Sequence, residues 1–260
     1  MSEQPKPTKK ERRDAARAER IAAEEQQAAV SARKKRLGIF GGLLVGALVI
    51  VAIAVMVSSS GDDKKTSSGE LADVDQVLKL YDGIDQKGIT LGDKAAPATI
   101  VVFADVQCPF CRDFEISELP EVVEKSVRTG KAKVTLRLRA FLGEDSLTGA
   151  NALNAAGLQD KMFETTGILY HNQGEENSGW VTDEYVRDLL GSVPGLDVDK
   201  ALKDADGPEV EKLLGEAETL ATRYGSSSTP DVYVGTSEND ANKVDATAAA
   251  INKAVDEIAN

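Results

Sequence analysis

From Leu37 to Val57 the chain reads LGIFGGLLVGALVIVAIAVMV, about 21 positions without a charged or strongly polar residue. At about 1.5 Å per residue this is enough helix to cross a hydrocarbon layer of about 30 Å. The pattern predicts a single transmembrane helix. A cleaved signal peptide is the competing reading, but its apolar region usually spans only about 7 to 15 residues, and no A-x-A-like site follows Val57. Gly38, Gly42 and Gly46 recur every four residues, a spacing that lets two helices approach closely and makes weak dimerisation through this helix an expectation.

The flanks contrast with the span. Residues 1–36 are rich in Ala, Glu, Gln and Arg without a sustained apolar stripe, and read as a solvated arm. Ser58 to Glu70 (SSSGDDKKTSSGE) is polar and aperiodic, a flexible linker. Residues 71–260 then form the expected folded domain.

Within that domain Thr99 to Ala104 (TIVVFA) is a short, continuous, β-branched run, the pattern of a strand covered on both faces. Helix is predicted from Pro109 to about Val127, with Phe114, Leu119, Val123 and Val127 inward and a kink at Pro120. Val134, Leu136 and Leu138 alternate with Thr135, Arg137 and Arg139, so a strand with two unlike faces follows. Strand, helix, strand makes a βαβ unit. Residues of about 144–225 read as a helical insertion, punctuated by the Gln173 to Gly179 loop, by Pro194-Gly195, and by Gly207-Pro208 at a helix start. Thr229 to Val234 (TPDVYV) resumes a strand, and Ile251, Ala254, Val255 and Ile258 mark the packed face of a last helix.

Charge divides the chain in the same places. Of 31 Lys and Arg and 43 Asp and Glu, eleven and six lie in residues 1–36, leaving 20 and 37 beyond. Arg33, Lys34, Lys35 and Arg36 abut the apolar span, so the arm is expected in the cytoplasm and the domain outside it. The acidic balance of the domain argues against nucleic-acid binding, which needs clustered Lys and Arg.

Cys108 and Cys111 are the only cysteines, in the tetrapeptide CPFC. A structural bridge closing a loop of roughly four residues would add only about 2 kcal/mol. A strand running into CxxC at the opening of a helix does something else. It sets Cys108 at the helix N-terminus, where free N–H groups and the macrodipole favour a thiolate. Pro109 suits the first helical turn, and Cys111 lies one turn on, within reach of the Cys108 sulfur. Such a pair exchanges disulfides through a mixed disulfide in either direction. A zinc site would need four ligands, and the single histidine, His171, stands about 60 residues away. No metal or cofactor is expected. His171 reads as an ordinary helix or surface residue, and Trp180 and Tyr185 as core.

FADVQCPFCRDF (Phe103 to Phe114), ENSGWVTDEY (Glu176 to Tyr185), and Ser228-Thr229-Pro230 ahead of a strand occur in this order. Over about residues 88 to 258 the chain thereby resembles the DsbA-like thiol–disulfide oxidoreductases. The resemblance implies an α/β thioredoxin-like fold with an inserted helical subdomain. It also implies a cis bond before Pro230 beside the CxxC, and a Thr229 backbone that hydrogen-bonds an extended substrate. Implied partners are exported proteins with free thiols and a membrane protein of DsbB or VKOR-like type that reoxidises the cysteines.

Two departures matter. Phe110 stands where the strongly oxidising member has His and cannot supply a cation, so a less acidic Cys108 and a potential below that member's about −120 mV are expected. Val102 occupies the position of thioredoxin's buried acid, leaving water or Asp105 for proton transfer to Cys111, with Asp105 as a plain turn residue the alternative. A reductase or isomerase of the same fold, and a non-catalytic chaperone-like binding module, remain the competing functions.

Overall fold

The computed structural model describes residues 71–260. The expected arm (1–36), transmembrane helix (37–57) and linker (58–70) lie outside them. Among the described residues no helix is long and apolar enough to cross a membrane.

The domain opens with helix α1 (Val74–Tyr81) and a short hairpin of β1 (Gln86–Lys87) and β2 (Thr90–Leu91). Then come β3 (Ala98–Ala104), α2 (Pro109–Ser117), α3 (Leu119–Val122), a π-helical turn (Val123–Val127) and β4 (Ala132–Leu138). Five helices follow: α4 (Glu144–Gly157), α5 (Met162–His171), α6 (Asp183–Gly191), α7 (Val198–Asp204) and α8 (Pro208–Tyr224). Strands β5 (Asp231–Ser237) and β6 (Asp240–Val244) and helix α9 (Ala248–Ala259) complete the chain.

The six strands order as β1-β2-β4-β3-β5-β6. β3 and β4 are parallel, which requires the crossover that α2 and α3 supply, and every other pairing is antiparallel. All seven residues of β3 are buried because helices cover both of its faces. Ile100 and Val102 join the main core with Phe114, Ile251 and Val255, whereas Val101 and Phe103 pack with Tyr233 against Leu220 and Ala221 of α8. Alternate side chains of one strand thus serve two layers, and the sequence reads as one unbroken apolar run.

The expected helix from Pro109 is not one kinked helix. It ends at Ser117, and Pro120 sits in the first turn of α3, where its missing N–H costs no internal bond. In the insertion, the second half of α4, from Ala152 to Gly157, is buried all round. Ala150 and Leu153 face the main core, while Ala152, Ala155 and Ala156 face a second cluster with Val181, Val186, Leu190 and Val210. α5 lays Phe163, Ile168, Leu169 and Tyr170 into the main core. Trp180 and Tyr185 meet edge to face, with centroids 5.1 Å apart, at the seam between the two clusters.

The β5–β6 hairpin depends on one glycine. A Cβ at Gly235 would lie 1.8 Å from the Asp240 carbonyl oxygen, so only a residue without a side chain lets the strands close at this bulge.

Candidate active site

The C-terminal end of β3 delivers Cys108 to the N-cap of α2 in extended geometry (φ −70°, ψ 118°). Its carbonyl accepts from the Cys111 and Arg112 N–H groups at 3.1 and 3.2 Å, which starts the helix. Both cysteines are free thiols and both are buried, at 5% exposure for Cys108 and 1% for Cys111. Phe110 is the contrast at 70%, standing off the surface beside the sulfur.

The two thiols are electrostatically unlike. The Cys111 S–H hydrogen bond pulls the Cys108 thiol down. Burial opposes it, and the Thr229 hydroxyl and the N–H groups of Cys111 and Phe110 add to it, leaving Cys108 at about 6. Burial, then the hydrogen bond and charge of Cys108, push Cys111 well above the ordinary thiol range. One sulfur is therefore mostly thiolate at neutral pH while the other keeps its proton.

Thr229 comes to this site from 121 positions away. The Thr229–Pro230 bond is cis, and the Cys108 thiol donates to the Thr229 carbonyl at 3.2 Å. Thr229 thus offers the sulfur two groups: a carbonyl that accepts from the thiol and a hydroxyl that stabilises the thiolate. Thr229→Val keeps the shape and the carbonyl but removes the donor. It is expected to move the Cys108 titration upward and to slow alkylation at pH 6 several-fold, as read by thiolate absorbance and iodoacetamide kinetics; an unchanged titration contradicts it.

Asp105 is fully buried, and both carboxyl oxygens are occupied. One accepts from the Gln107 N–H at 2.9 Å and the Ser146 hydroxyl at 2.6 Å, the other from the Phe141 and Leu142 N–H groups at 3.1 and 3.2 Å. Four donors on one carboxylate make an anchor that ties the active-site turn to the loop after β4. Only its backbone touches the proton chemistry, through a hydrogen bond that lowers the Cys111 thiol against the larger effect of burial.

A family described as Thioredoxin matches residues 85–255, well over half of the chain. A probable disulfide bond formation protein D of Bacillus cereus is 28% identical over 148 residues, covering 56% of this chain and 68% of that protein. The chain belongs to the thioredoxin family. Its fold is shared with crystal structures of oxidised BdbD from Bacillus subtilis (TM-score 0.59, 22% identity, 74% of this chain and 97% of that one). It is shared too with Chlamydia trachomatis DsbA (TM-score 0.56, 22% identity, 65% of this chain and 90% of that one). The protein is a thiol–disulfide oxidoreductase.

Several residues that shape this site gave no sequence signal. Gln107 donates to the Leu142 carbonyl and Ser146 and accepts from the Asn177 N–H, while Gln173 donates to the Val106 and Cys108 carbonyls. The Tyr170 hydroxyl donates to the Asp105 carbonyl at 3.0 Å. The insertion therefore holds the turn that carries Cys108, besides covering it. His171 sits at the end of α5, 3.0 Å from Asp73 and away from this network. Among the described residues no group of His, Cys, Asp and Glu could hold a metal ion.

Proposed function

We propose that this oxidoreductase works as an oxidase, forming disulfides in proteins outside the cytoplasm, with its catalytic domain tethered there by a transmembrane helix over residues 37–57. The asymmetry of the two thiols carries the reading. In the oxidised protein a substrate thiolate attacks the Cys108 sulfur, the Cys108–Cys111 bond breaks, and Cys111 leaves and takes up a proton. A second substrate thiolate then attacks the substrate sulfur of the mixed disulfide, forming the substrate's bond and releasing Cys108 as a thiolate. Two electrons and one proton remain on the pair. A thiol held at about 6 is a good leaving group and stabilises the reduced form, which drives the exchange toward substrate oxidation.

The surface fits an unfolded substrate. Of the large apolar side chains most exposed among the described residues, Phe110 follows the nucleophile, and Phe141 and Leu147 flank groups that Asp105 holds. Arg139 lies over the Phe141 ring at 4.9 Å. The reduced pair must then pass its electrons to a reoxidising protein, for which a membrane partner of DsbB or VKOR-like type suits a tethered domain.

The reduction potential is expected between the about −120 mV of the strongly oxidising relative and the about −270 mV of thioredoxin, because Phe110 supplies no cation and only uncharged donors, the Cys111 thiol, the Thr229 hydroxyl and the N–H groups of the helix terminus, stabilise the thiolate. Trapping the thiols by alkylation in intact cells tests the direction. A mostly oxidised Cys108–Cys111 pair is expected, and a mostly reduced pair with a potential near −270 mV makes the protein a reductase or isomerase.

A further inference from the structure

The loop that meets the nucleophile is held by a carboxylate with no place in the chemistry so far. Asp231 opens β5, directly after Pro230, with its side chain 4% exposed. One of its oxygens accepts from the Ser226 hydroxyl at 2.7 Å; the other accepts from the Ser228 hydroxyl at 3.0 Å and from the Lys243 ammonium at 2.7 Å. Lys243 reaches it from the edge strand β6, where its backbone pairs with Tyr233. Arg139 secures the same loop from the end of β4. It donates to the Ser226 carbonyl at 3.3 Å while its other nitrogens hold Glu218.

A carboxylate in so closed a position is costly unless it is paired and hydrogen-bonded. Burial raises the Asp231 carboxyl, and the Lys243 ammonium and the two hydroxyls outweigh it, so the group stays ionised. Both hydroxyls belong to the five-residue turn that presents Thr229. An ion pair serving stability alone would need neither. The Thr229 carbonyl lies 3.2 Å from the Cys108 sulfur, so this turn borders the atom that a substrate sulfur must reach.

We propose that Asp231 is a positioning residue for thiol exchange: with Ser226, Ser228 and Lys243 it fixes the turn that holds Thr229 against Cys108, and thereby the track along which a substrate chain reaches that sulfur. This role rests on the thiol-exchange reading of the site and adds a determinant of substrate binding to it. Substituting Asp231 is the informative change. Lys243 is 56% exposed and returns to water when its partner is lost, whereas removing Lys243 would strand a buried charge.

The test compares wild-type full chain with Asp231→Ala, Asp231→Asn and Ser228→Ala in the oxidation of a two-cysteine peptide, with oxidised glutathione as terminal oxidant, alongside titration of the Cys108 thiolate absorbance. Asp231→Ala is expected to raise the peptide KM about tenfold, the scale of one lost charge-assisted hydrogen bond. The expected change in kcat is smaller, and the titration moves upward. Asp231→Asn keeps one acceptor oxygen and falls between Ala and wild type; Ser228→Ala shifts both readouts the same way by less. Folded Asp231 variants with wild-type KM and wild-type titration overturn the proposal and leave a structural ion pair. Should the Asp231 variants fail to fold, Ser228→Ala decides by the same two readouts, because Ser228 is exposed and its loss leaves the buried pair intact. A wild-type chain that does not oxidise the peptide counts against thiol exchange instead, and the titrations still report on the clamp.

Discussion

Replacing Cys108 with serine is expected to return oxidation of a two-cysteine peptide to the uncatalysed rate while leaving the fold intact. A serine oxygen cannot form the mixed disulfide on which both exchange steps depend, and its hydroxyl does not ionise near neutral pH even at a helix N-terminus. The site tolerates it structurally, since a hydroxyl can donate to the Thr229 carbonyl as the thiol does at 3.2 Å. Cys111→Ser should behave differently. Cys108 remains at the helix terminus and still attacks a substrate disulfide, breaking it and forming a mixed disulfide, but no Cys111 thiol displaces the captured chain, so covalent adducts with a disulfide-bonded substrate accumulate that a reductant dissolves. Cys111→Ala, which unlike serine leaves no donor, removes the hydrogen bond that is the largest influence lowering Cys108 and moves the Cys108 titration upward. Non-reducing electrophoresis separates the two serine variants. Full turnover by Cys108→Ser, or an absence of adducts with Cys111→Ser, would contradict the assigned roles.

What made this site legible was local. β3 announces itself because both of its faces are covered, so no charged residue interrupts the run from Ala98 to Ala104. CPFC at the junction of that run with a helix then fixes which cysteine leads. What the sequence concealed are contacts across distance. Gln107 and Gln173, 66 positions apart, look like surface amides, and their identity as braces of the Cys108 turn exists only after α5 has packed. β6 (DANKV) carries no apolar alternation because it is an edge strand with both faces largely open, and edges favour charge. The α1 helix and the β1–β2 hairpin are too short and too mixed in character to stand out. Asp105 had a local signal, three residues before Cys108, yet its function comes from donors 36 to 41 positions away. One missed residue did leave a trace. Glu115 lies four positions after Cys111, on the helix face that buries Cys111 and Phe114, and a carboxylate on an inward face is an anomaly that helical spacing exposes.

That carboxylate makes stability depend on pH between about pH 5 and 8. Glu115 is 6% exposed, and its partner is the Tyr81 hydroxyl of α1, which donates to it at 2.8 Å. Burial raises the group from 4.5 to about 7 against the lowering effect of Tyr81. Because the folded value lies above the unfolded one, the folded state binds the proton more tightly. The resulting stability is complete below about pH 4.5 and is lost as pH rises through about 7. A difference of about 2.5 units corresponds to about 3 kcal/mol, most of it lost between pH 5 and 8. Glu115→Gln removes this loss, since the amide carbonyl can accept from Tyr81 and nothing ionises. Glu115 also lines an open cavity of about 280 Å³, where water can reach the amide nitrogen. The variant should match wild type at pH 5 within about 1 kcal/mol and exceed it by about 3 kcal/mol at pH 8. Asp160 and Asp231 are lowered from 3.8 and act below that window. Cys108, lowered from 9.0 to about 6, adds stability as pH rises between those values, but both proteins carry it, so it cancels in the difference. Urea unfolding of wild type and Glu115→Gln at the two pH values reads the effect. A difference in stability that is the same at pH 5 and pH 8 would mean that Glu115 does not titrate in this range in the folded protein.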